Sequence, residues 1–467
     1  MKLNGLVTSI CIFVAIGAAR AGADQVQPAA PFVLGYANQV SVAAGEEISF
    51  HVSASGDAFD MRVERVGAER TKVLEKSQIA CATHPIPDRA SSHGCNWPAA
   101  LTITVPPDWA SGYYEATLTL NDGEKPARSS LFFIVRSAEA GKNTKILLEL
   151  GTNTYNAYTN WGGHSLYGYH DRDGIQGHRV SFDRPLNSLF SKWELPFVKW
   201  AEQNGYTLDY ASNCDLEFHP EILKQYNLVL SVGHDEYWSS PMRDHLEQYI
   251  TDGGNVAFLT GNTCCWQVRS EDNGRALTCW KQSFNSDPLY RTSDHKLLST
   301  AWSHHLIGRP ENELTGLGFL WGGYHRSHGQ FMDGSGAFRV HRPEHWLFEG
   351  TDLKREDQFG GEHSIVGYEC DGCEIEWADG LPFATHRDGT PESFTILATC
   401  PARWAPGDCF WYDRFPTDRV GNAVFGTYTR GGTVVSAGTT DWAHGLAGND
   451  PNVVRITRNI LDRLSAP

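Results

Sequence analysis

Residues 228–240 read LVLSVGHDEYWSS, an apolar run that stops on Gly233 and gives way at once to His, Asp, Glu, Tyr and Trp. A run so short and unbroken is the pattern of a strand covered on both faces of a parallel sheet. The stretch that follows, SPMRDHLEQYITDGG (240–254), is amphipathic, opens on Ser-Pro and closes on Gly-Gly, which punctuates a helix. The same grammar recurs on both sides. KILLEL (145–150), NVAFLTG (255–261) and TVVSAG (433–438) read as buried strands; WELPFVKWAEQNG (193–205) reads as a helix before the strand YTLDYAS, and VVRITRNILDRL (453–464) as a closing helix. Strand and helix in alternation predict an open doubly wound α/β sheet over 144–467. Residues 262–432 break the alternation with irregular Gly, Trp and His, and are expected to form a β-rich insertion over the carboxyl edge of that sheet.

Ahead of it the period changes. From Phe32 to about Arg136 the chain alternates polar and apolar residues in short segments such as EISFHVSAS, FDMRVERV and GYYEATLTLN, divided by turn residues. This predicts an immunoglobulin-like β-sandwich over 30–137, joined by a linker at SAEAGKN (137–143). The first 23 residues carry one Lys, an apolar core from Leu6 to about Ala19 and small-x-small sites, the pattern of a secretory signal peptide. No other stretch approaches the ~20 apolar residues of a membrane span. The expected location is therefore secreted or periplasmic.

Cysteine usage is read in that light. Outside Cys11 there are ten, several close in sequence: Cys81 with Cys95, Cys370 with Cys373, Cys400 with Cys409. An oxidising compartment favours disulfides, with Cys214, Cys264, Cys265 and Cys279 open to three pairings. Cys370-Asp-Gly-Cys373 also has the spacing of half a zinc site, but no second CxxC completes it. A net charge of -16 without basic runs argues against nucleic acid or anionic lipid as a partner.

In open α/β sheets the chemistry gathers where strands end at the carboxyl edge. His234, Asp235, Glu236 and Tyr237 stand there, and a helix cap explains only one of them. The loop 151–174, GTNTYNAYTNWGGHSLYGYHDRDG, follows the first strand and offers Tyr158, Asn160, Trp161, His164 and Tyr167. GNTCCWQVR (261–269) offers Asn262, Trp266 and Arg269, and AGTTDWAHGL (437–446) offers Asp441 and His444. His234, Glu236 and His444 are candidate acid–base groups; Asn160, Trp161, His164, Asn262, Trp266 and Arg269 are candidate substrate contacts. A cysteine at the 264–265 turn has the position of a nucleophile as well as of a disulfide. HExxH, GxSxG, GxxxxGK[ST] and GxGxxG are all absent from these loops, which argues against zincin, α/β-hydrolase and nucleotide chemistry.

YNAYTNWGGHSLYG (155–168), SFDRP (181–185), GHDEYWS (233–239), TGNTCCWQVR (260–269) and AGTTDWAHGL together resemble the C-terminal domain of the N,N-dimethylformamidase large-subunit family, over roughly 144–467. The resemblance implies a glutamine amidotransferase-like α/β fold and hydrolysis of an amide C–N bond at a mononuclear iron held by two Tyr phenolates and one Glu. It implies Tyr237 as an iron ligand, with the second Tyr among Tyr158 and Tyr167 and the carboxylate among Glu236 and Glu369. The implied partner is a small-molecule amide or a glycan-like substrate. The alternative is a non-catalytic or carbohydrate-binding secreted protein with an aromatic-rich cleft; oligomeric state is not legible.

Overall fold

A computed structural model describes residues 30–121, 125–170, 174–404 and 420–466. Its centre is a nine-stranded sheet, whose strands in chain order are β1 (Ile146–Leu150), β2 (Asp209–Ser212), β3 (Leu228–His234), β4 (Asn255–Gly261), β5 (Phe338–Val340), β6 (Gln358–Phe359), β7 (Thr395–Ala402), β8 (Gly421–Arg430) and β9 (Gly432–Ser436). They lie side by side as β2-β1-β3-β4-β9-β8-β7-β5-β6. The first five run parallel, and the remaining four continue the sheet antiparallel. Chain order reverses between β1 and β3, which leaves a crevice where the loops after β1 and β3 diverge.

The helices that matter to the site are α1 (Thr152–Tyr158), α2 (Leu195–Gln203), α3 (Ser240–Thr251), α4 (Trp442–Ala447) and α5 (Pro451–Leu464). Both faces of the sheet are covered. α3 lays Met242, Leu246 and Ile250, four residues apart, on one face beside Val229, Val256 and Phe258; α2, α4 and α5 cover the other with Phe197, Trp200, Trp442, Ile456 and Ile460. Each such side chain removed from water stabilises by about 1.5–3 kcal/mol. Ser239 caps α3, its Oγ accepting from Met242 N at 3.3 Å, and Pro stands in the first turn.

The front half is two facing sheets. Three strands (Val33–Ala37, Glu47–Ala54, Ala99–Thr104) oppose five (Ser41–Ala43, Ala58–Val66, Arg70–Ala80, Gly112–Leu120, Ala127–Arg136) across a core of Phe50, Val63, Tyr114 and Phe133. This half is fastened to the central sheet. Tyr113 stacks on Phe190 at 4.0 Å and donates its hydroxyl to Ser188 at 2.8 Å; Phe132 meets Tyr155 edge-on at 5.7 Å; Arg65 pairs with Glu202 of α2 at 2.7 Å.

Two expectations need correction. Part of the 262–432 stretch does not lie over the sheet but enlarges it, because β5 to β8 bond on past β9. The disulfide framework is not formed among the described residues: Cys81, Cys95, Cys214, Cys264, Cys265, Cys279, Cys370, Cys373 and Cys400 are all free thiols. The physical reason is packing. Cys370 and Cys373 serve different hydrophobic clusters, Cys81 and Cys95 likewise, so nearness in sequence does not bring the sulfurs together. The signal segment 1–23, Cys11 and Cys409 lie outside the described residues. Among those residues no helix is long and apolar enough to cross a membrane.

Candidate active site

The carboxyl ends of β1, β3 and β4 deliver one polar cluster to the crevice. β3 ends through Gly233, whose φ of +85° puts its missing Cβ within 2.5 Å of the Trp193 Cβ; the chain then turns sharply and aims His234 and Glu236 inward. α1 leaves β1 and ends on Tyr158; the loop beyond it returns with Tyr167. The backbone N–H of Glu236 is held by Thr154 Oγ1 at 2.9 Å, which fixes the loop after β3 to the helix after β1.

Glu236 is the hub. Tyr158 donates to its Oε2 at 3.1 Å, and Tyr167 lies 3.0 Å from Oε1 and 2.9 Å from Oε2. Trp266 Nε1 donates to Oε1 at 2.6 Å. Tyr237 donates to the Tyr167 oxygen at 2.7 Å and accepts from Lys281 Nζ at 2.9 Å. That ammonium also sits 3.2 Å from the centre of the Tyr167 ring. On the other flank, His234 Nε2 is 3.1 Å from Glu369 Oε2, 3.6 Å from Glu236 Oε2 and 3.3 Å from the Tyr158 hydroxyl.

Burial sets the charges. It pushes the Tyr158, Tyr167 and Tyr237 phenols well above the usual range, with the Glu236 carboxylate acting in the same direction. Desolvation raises the Glu369 carboxyl well up, and Glu236 beside it adds to that. It lowers His234, which favours the neutral ring, and brings Lys281 down to about 8. A second layer lies behind. Glu149 of β1 and Asp235 are both raised by burial and share Asn213, whose Nδ2 donates to Glu149 and, at 3.1 Å, to Asp235.

Tyr158, Tyr167, Glu236, Trp266, Lys281 and Glu369 wall a cavity of about 290 Å³ with Leu166, Phe319, Tyr324, Tyr368 and Trp404 on its apolar side. Among the described residues no three His, Cys, Asp or Glu side chains converge as a metal site. The convergent donors are two phenols and a carboxylate. Hard oxygen donors suit a hard cation such as ferric iron, and phenols whose ionisation is held back by desolvation and by a neighbouring carboxylate ionise only if a cation compensates them. The residues present fit such an ion. The ones that meet are Tyr158, Tyr167 and Glu236, whereas Tyr237 stands one hydrogen bond behind Tyr167, turned to Lys281, and Glu369 faces His234.

Of the residues expected from sequence, Tyr158, Tyr167, Glu236, Asn262, Trp266 and Glu369 line the cavity, with His234 and Tyr237 bonded into it. Five others stand elsewhere. Asn160 is exposed and donates to His170 O at 3.0 Å; Trp161 packs edge-on to Trp97 at 5.9 Å. Arg269 grips Asp287 through both oxygens at 2.7 and 3.0 Å. His444 is an exposed residue of α4, and His164 does not line the cavity. Cys264, at a φ of +53°, does occupy a tight turn after β4, but both it and Cys265 are buried and their thiols are pushed up by desolvation, the opposite of what a nucleophile requires. Lys281, Tyr368 and Trp404 were missed. Tyr368 precedes Glu369 and was open to notice; Lys281, in CWKQSF, carries no local signal.

The cluster stands where parallel strands end at their carboxyl edge, the place where ligand sites gather in parallel sheets. The chain belongs to the family described as N,N-dimethylformamidase beta subunit-like, C-terminal, which it matches over residues 59–454. The match begins inside the front sandwich. Among curated relatives, the N,N-dimethylformamidase beta subunits of Paracoccus aminophilus and of Alcaligenes sp are each 26% identical, with 79% of this chain and 54% of the relative covered. The chain spans about half the length of those relatives. Among solved structures, the β-glucuronidase of Parabacteroides merdae is 12% identical with a TM-score of 0.16 over 49% of this chain and 23% of that one. That of Dictyoglomus thermophilum is 9% identical with a TM-score of 0.15 over 49% and 43%. Neither likeness bears on the fold.

Proposed function

We propose that the protein is an exported, iron-dependent hydrolase of an amide C–N bond, built on a glutamine amidotransferase-like sheet, with Tyr158, Tyr167 and Glu236 as the metal donors. The observation that carries this reading is the meeting of two half-buried phenols on one buried carboxylate, at 2.9 to 3.1 Å, at the wall of one cavity. Family membership supports the reaction class. When bound, the metal supplies Lewis-acid polarisation of the amide carbonyl and acidifies water.

The protein's own groups do the rest. Lys281 and Tyr237 hold Tyr167 in place from behind, and Trp266 fixes one oxygen of Glu236. His234, kept neutral by burial and poised between Glu236 and Glu369, is the proton carrier. Water adds its oxygen to the acyl carbon and gives a proton to His234 Nε2. The C–N bond then breaks as that proton passes to the leaving nitrogen. The products are a carboxylic acid and an amine.

Metal analysis with an absorption spectrum on protein produced in an oxidising compartment tests the proposal. Stoichiometric iron with a visible tyrosinate charge-transfer band is expected, lost in Tyr158→Phe and Tyr167→Phe and kept, at a shifted position, in Tyr237→Phe. Protein that takes up no iron and releases no amine from formamides overturns it.

A further inference from the structure

We infer that Arg184 is the positioning residue of Tyr158: its guanidinium caps the C-terminal end of α1 and so fixes where that phenol meets Glu236. This rests on the reading of Tyr158 as a metal donor and adds a residue outside the cavity to it. Arg184 belongs to SFDRP (181–185), whose residues take no part in the reaction above. Its side chain is fully buried and does not line the cavity. Among the described residues it forms no ion pair; Asp183 beside it is taken by Arg275, whose Nε donates to Asp183 Oδ2 at 2.9 Å. A buried cation without a carboxylate is costly unless its donors are matched by other oxygens.

The matching oxygens belong mostly to one helix end. Nη2 donates to Asn156 Oδ1 at 3.0 Å, to Asn156 O at 3.3 Å and to Thr159 O at 3.0 Å. Nη1 donates to Trp161 O at 2.5 Å, and Nε to Ser181 O at 2.9 Å. Asn156 and Thr159 stand two residues before and one residue after Tyr158, so the fork grips the chain on both sides of it. The last carbonyls of a helix have no partner within it, and they attract positive charge. α1 needs such a cap, because it passes at Thr159 into extended backbone, φ −76° and ψ 119°, with no glycine to close it. Its other end carbonyls are held as well: Thr159 Oγ1 donates to Tyr155 O at 2.8 Å, and Leu166 N to Ala157 O at 3.0 Å.

The arginine is itself anchored. Phe182 N donates to Arg275 O at 2.8 Å, Cys95 N of the front half to Asp183 O at 2.8 Å, and Asn187 N to Thr159 Oγ1 at 3.0 Å. Serving five oxygens from one side chain takes the planar fork of a guanidinium; an ammonium has the charge without the shape.

Two variants and two readouts test this. 3-Fluorotyrosine placed singly at position 158 or 237 reports each ring by fluorine NMR in the metal-free protein, and iron is then titrated against a competing chelator. Arg184→Lys should shift and broaden the Tyr158 line, leave the Tyr237 line in place and weaken iron binding about tenfold. Arg184→Gln, which no longer buries a charge, should do the same and keeps the comparison open if the Lys variant does not fold. A Tyr158 line that stays in place, Tyr158 and Tyr237 lines that move together, or iron held as tightly as in wild type overturns the inference. Wild-type protein that takes up no iron removes the metal reading instead, and the fluorine lines alone then decide whether Arg184 positions Tyr158.

Discussion

Gly233→Ala isolates the contact that aims the loop after β3. Two glycines of this chain share a φ of +85°, Gly233 and Gly205, but their surroundings differ. A Cβ on Gly205 would meet nothing within 4 Å, whereas one on Gly233 would come within 2.5 Å of Trp193 Cβ and 3.1 Å of its Cα. Gly205→Ala therefore incurs only the left-handed backbone penalty, about 1–2 kcal/mol. Gly233→Ala incurs the same penalty together with overpacking against a main chain that cannot swing aside, about 1–3 kcal/mol more. A total of ~2–5 kcal/mol is a large part of the ~5–15 kcal/mol that holds a folded protein together. Urea unfolding followed by tryptophan fluorescence, at unchanged m-value, gives both losses. The Trp193 ring also lies edge-on to His234 at 5.7 Å, so the Gly233 variant should bind amides more weakly while the Gly205 variant should not. Equal destabilisation by the two substitutions would refute the steric argument and with it the account of how His234 and Glu236 are aimed.

Three further outcomes are expected. Burial brings Glu194 up to about 8, although Tyr155 donates to it at 2.5 Å; the folded state then holds a proton that the unfolded state loses above about 4.5, so stability falls as pH rises through that window, by at most ~1.4 kcal/mol per unit. Glu194→Gln should flatten this slope in unfolding curves taken between pH 5 and 8. Asn213→Ala strips donors from Glu149 and Asp235 and leaves the Asn153 N–H, now 2.7 Å from Asn213 Oδ1, unsatisfied; a loss of ~2–4 kcal/mol by urea titration is expected. Arg269→Ala should cost ~2–3 kcal/mol by urea titration, since it takes the charged partner from the buried Asp287 and leaves that carboxylate only its bonds from Ser299 and Leu289, yet leave iron uptake unchanged.

Much of the centre was legible because its strands are buried on both faces, where apolar runs have no competing explanation. KILLEL and LVLSV sit at β1 and β3, and the loops behind them hold the polar cluster. The Glu inside KILLEL was itself a signal: a carboxyl in a fully buried strand needs a reason, and Glu149 has one behind the site. The arrangement of the phenols was not legible. Tyr158, Tyr167 and Tyr237 are alike in type and exposure to the motif, and only three-dimensional placement separates the two that reach Glu236 from the one that faces Lys281. Asn160 and Arg269 misled because a polar residue near a strand end is as often satisfied by its own loop. Lys281 comes from a 3-10 turn far along the chain, and long-range approach of that kind leaves no trace in local pattern.

The seam between the front sandwich and the central sheet changes what a fragment of this protein would be. Tyr113, Phe132 and Ile134 belong to the same apolar cluster as Leu148, Tyr155 and Phe190, so residues 137–143 join two halves of one interior and are not a perforation between modules. Tyr155 lies one helical turn before Tyr158. Cutting the chain at that linker would bare the back of α1, the helix that presents a phenol to Glu236, and the excised half with the nine-stranded sheet would lose the hard stop that keeps that phenol from rocking. The sandwich is in this sense a buttress: it touches no substrate, yet the stiffness of the cavity wall is borrowed from it, and the two halves should melt in a single transition.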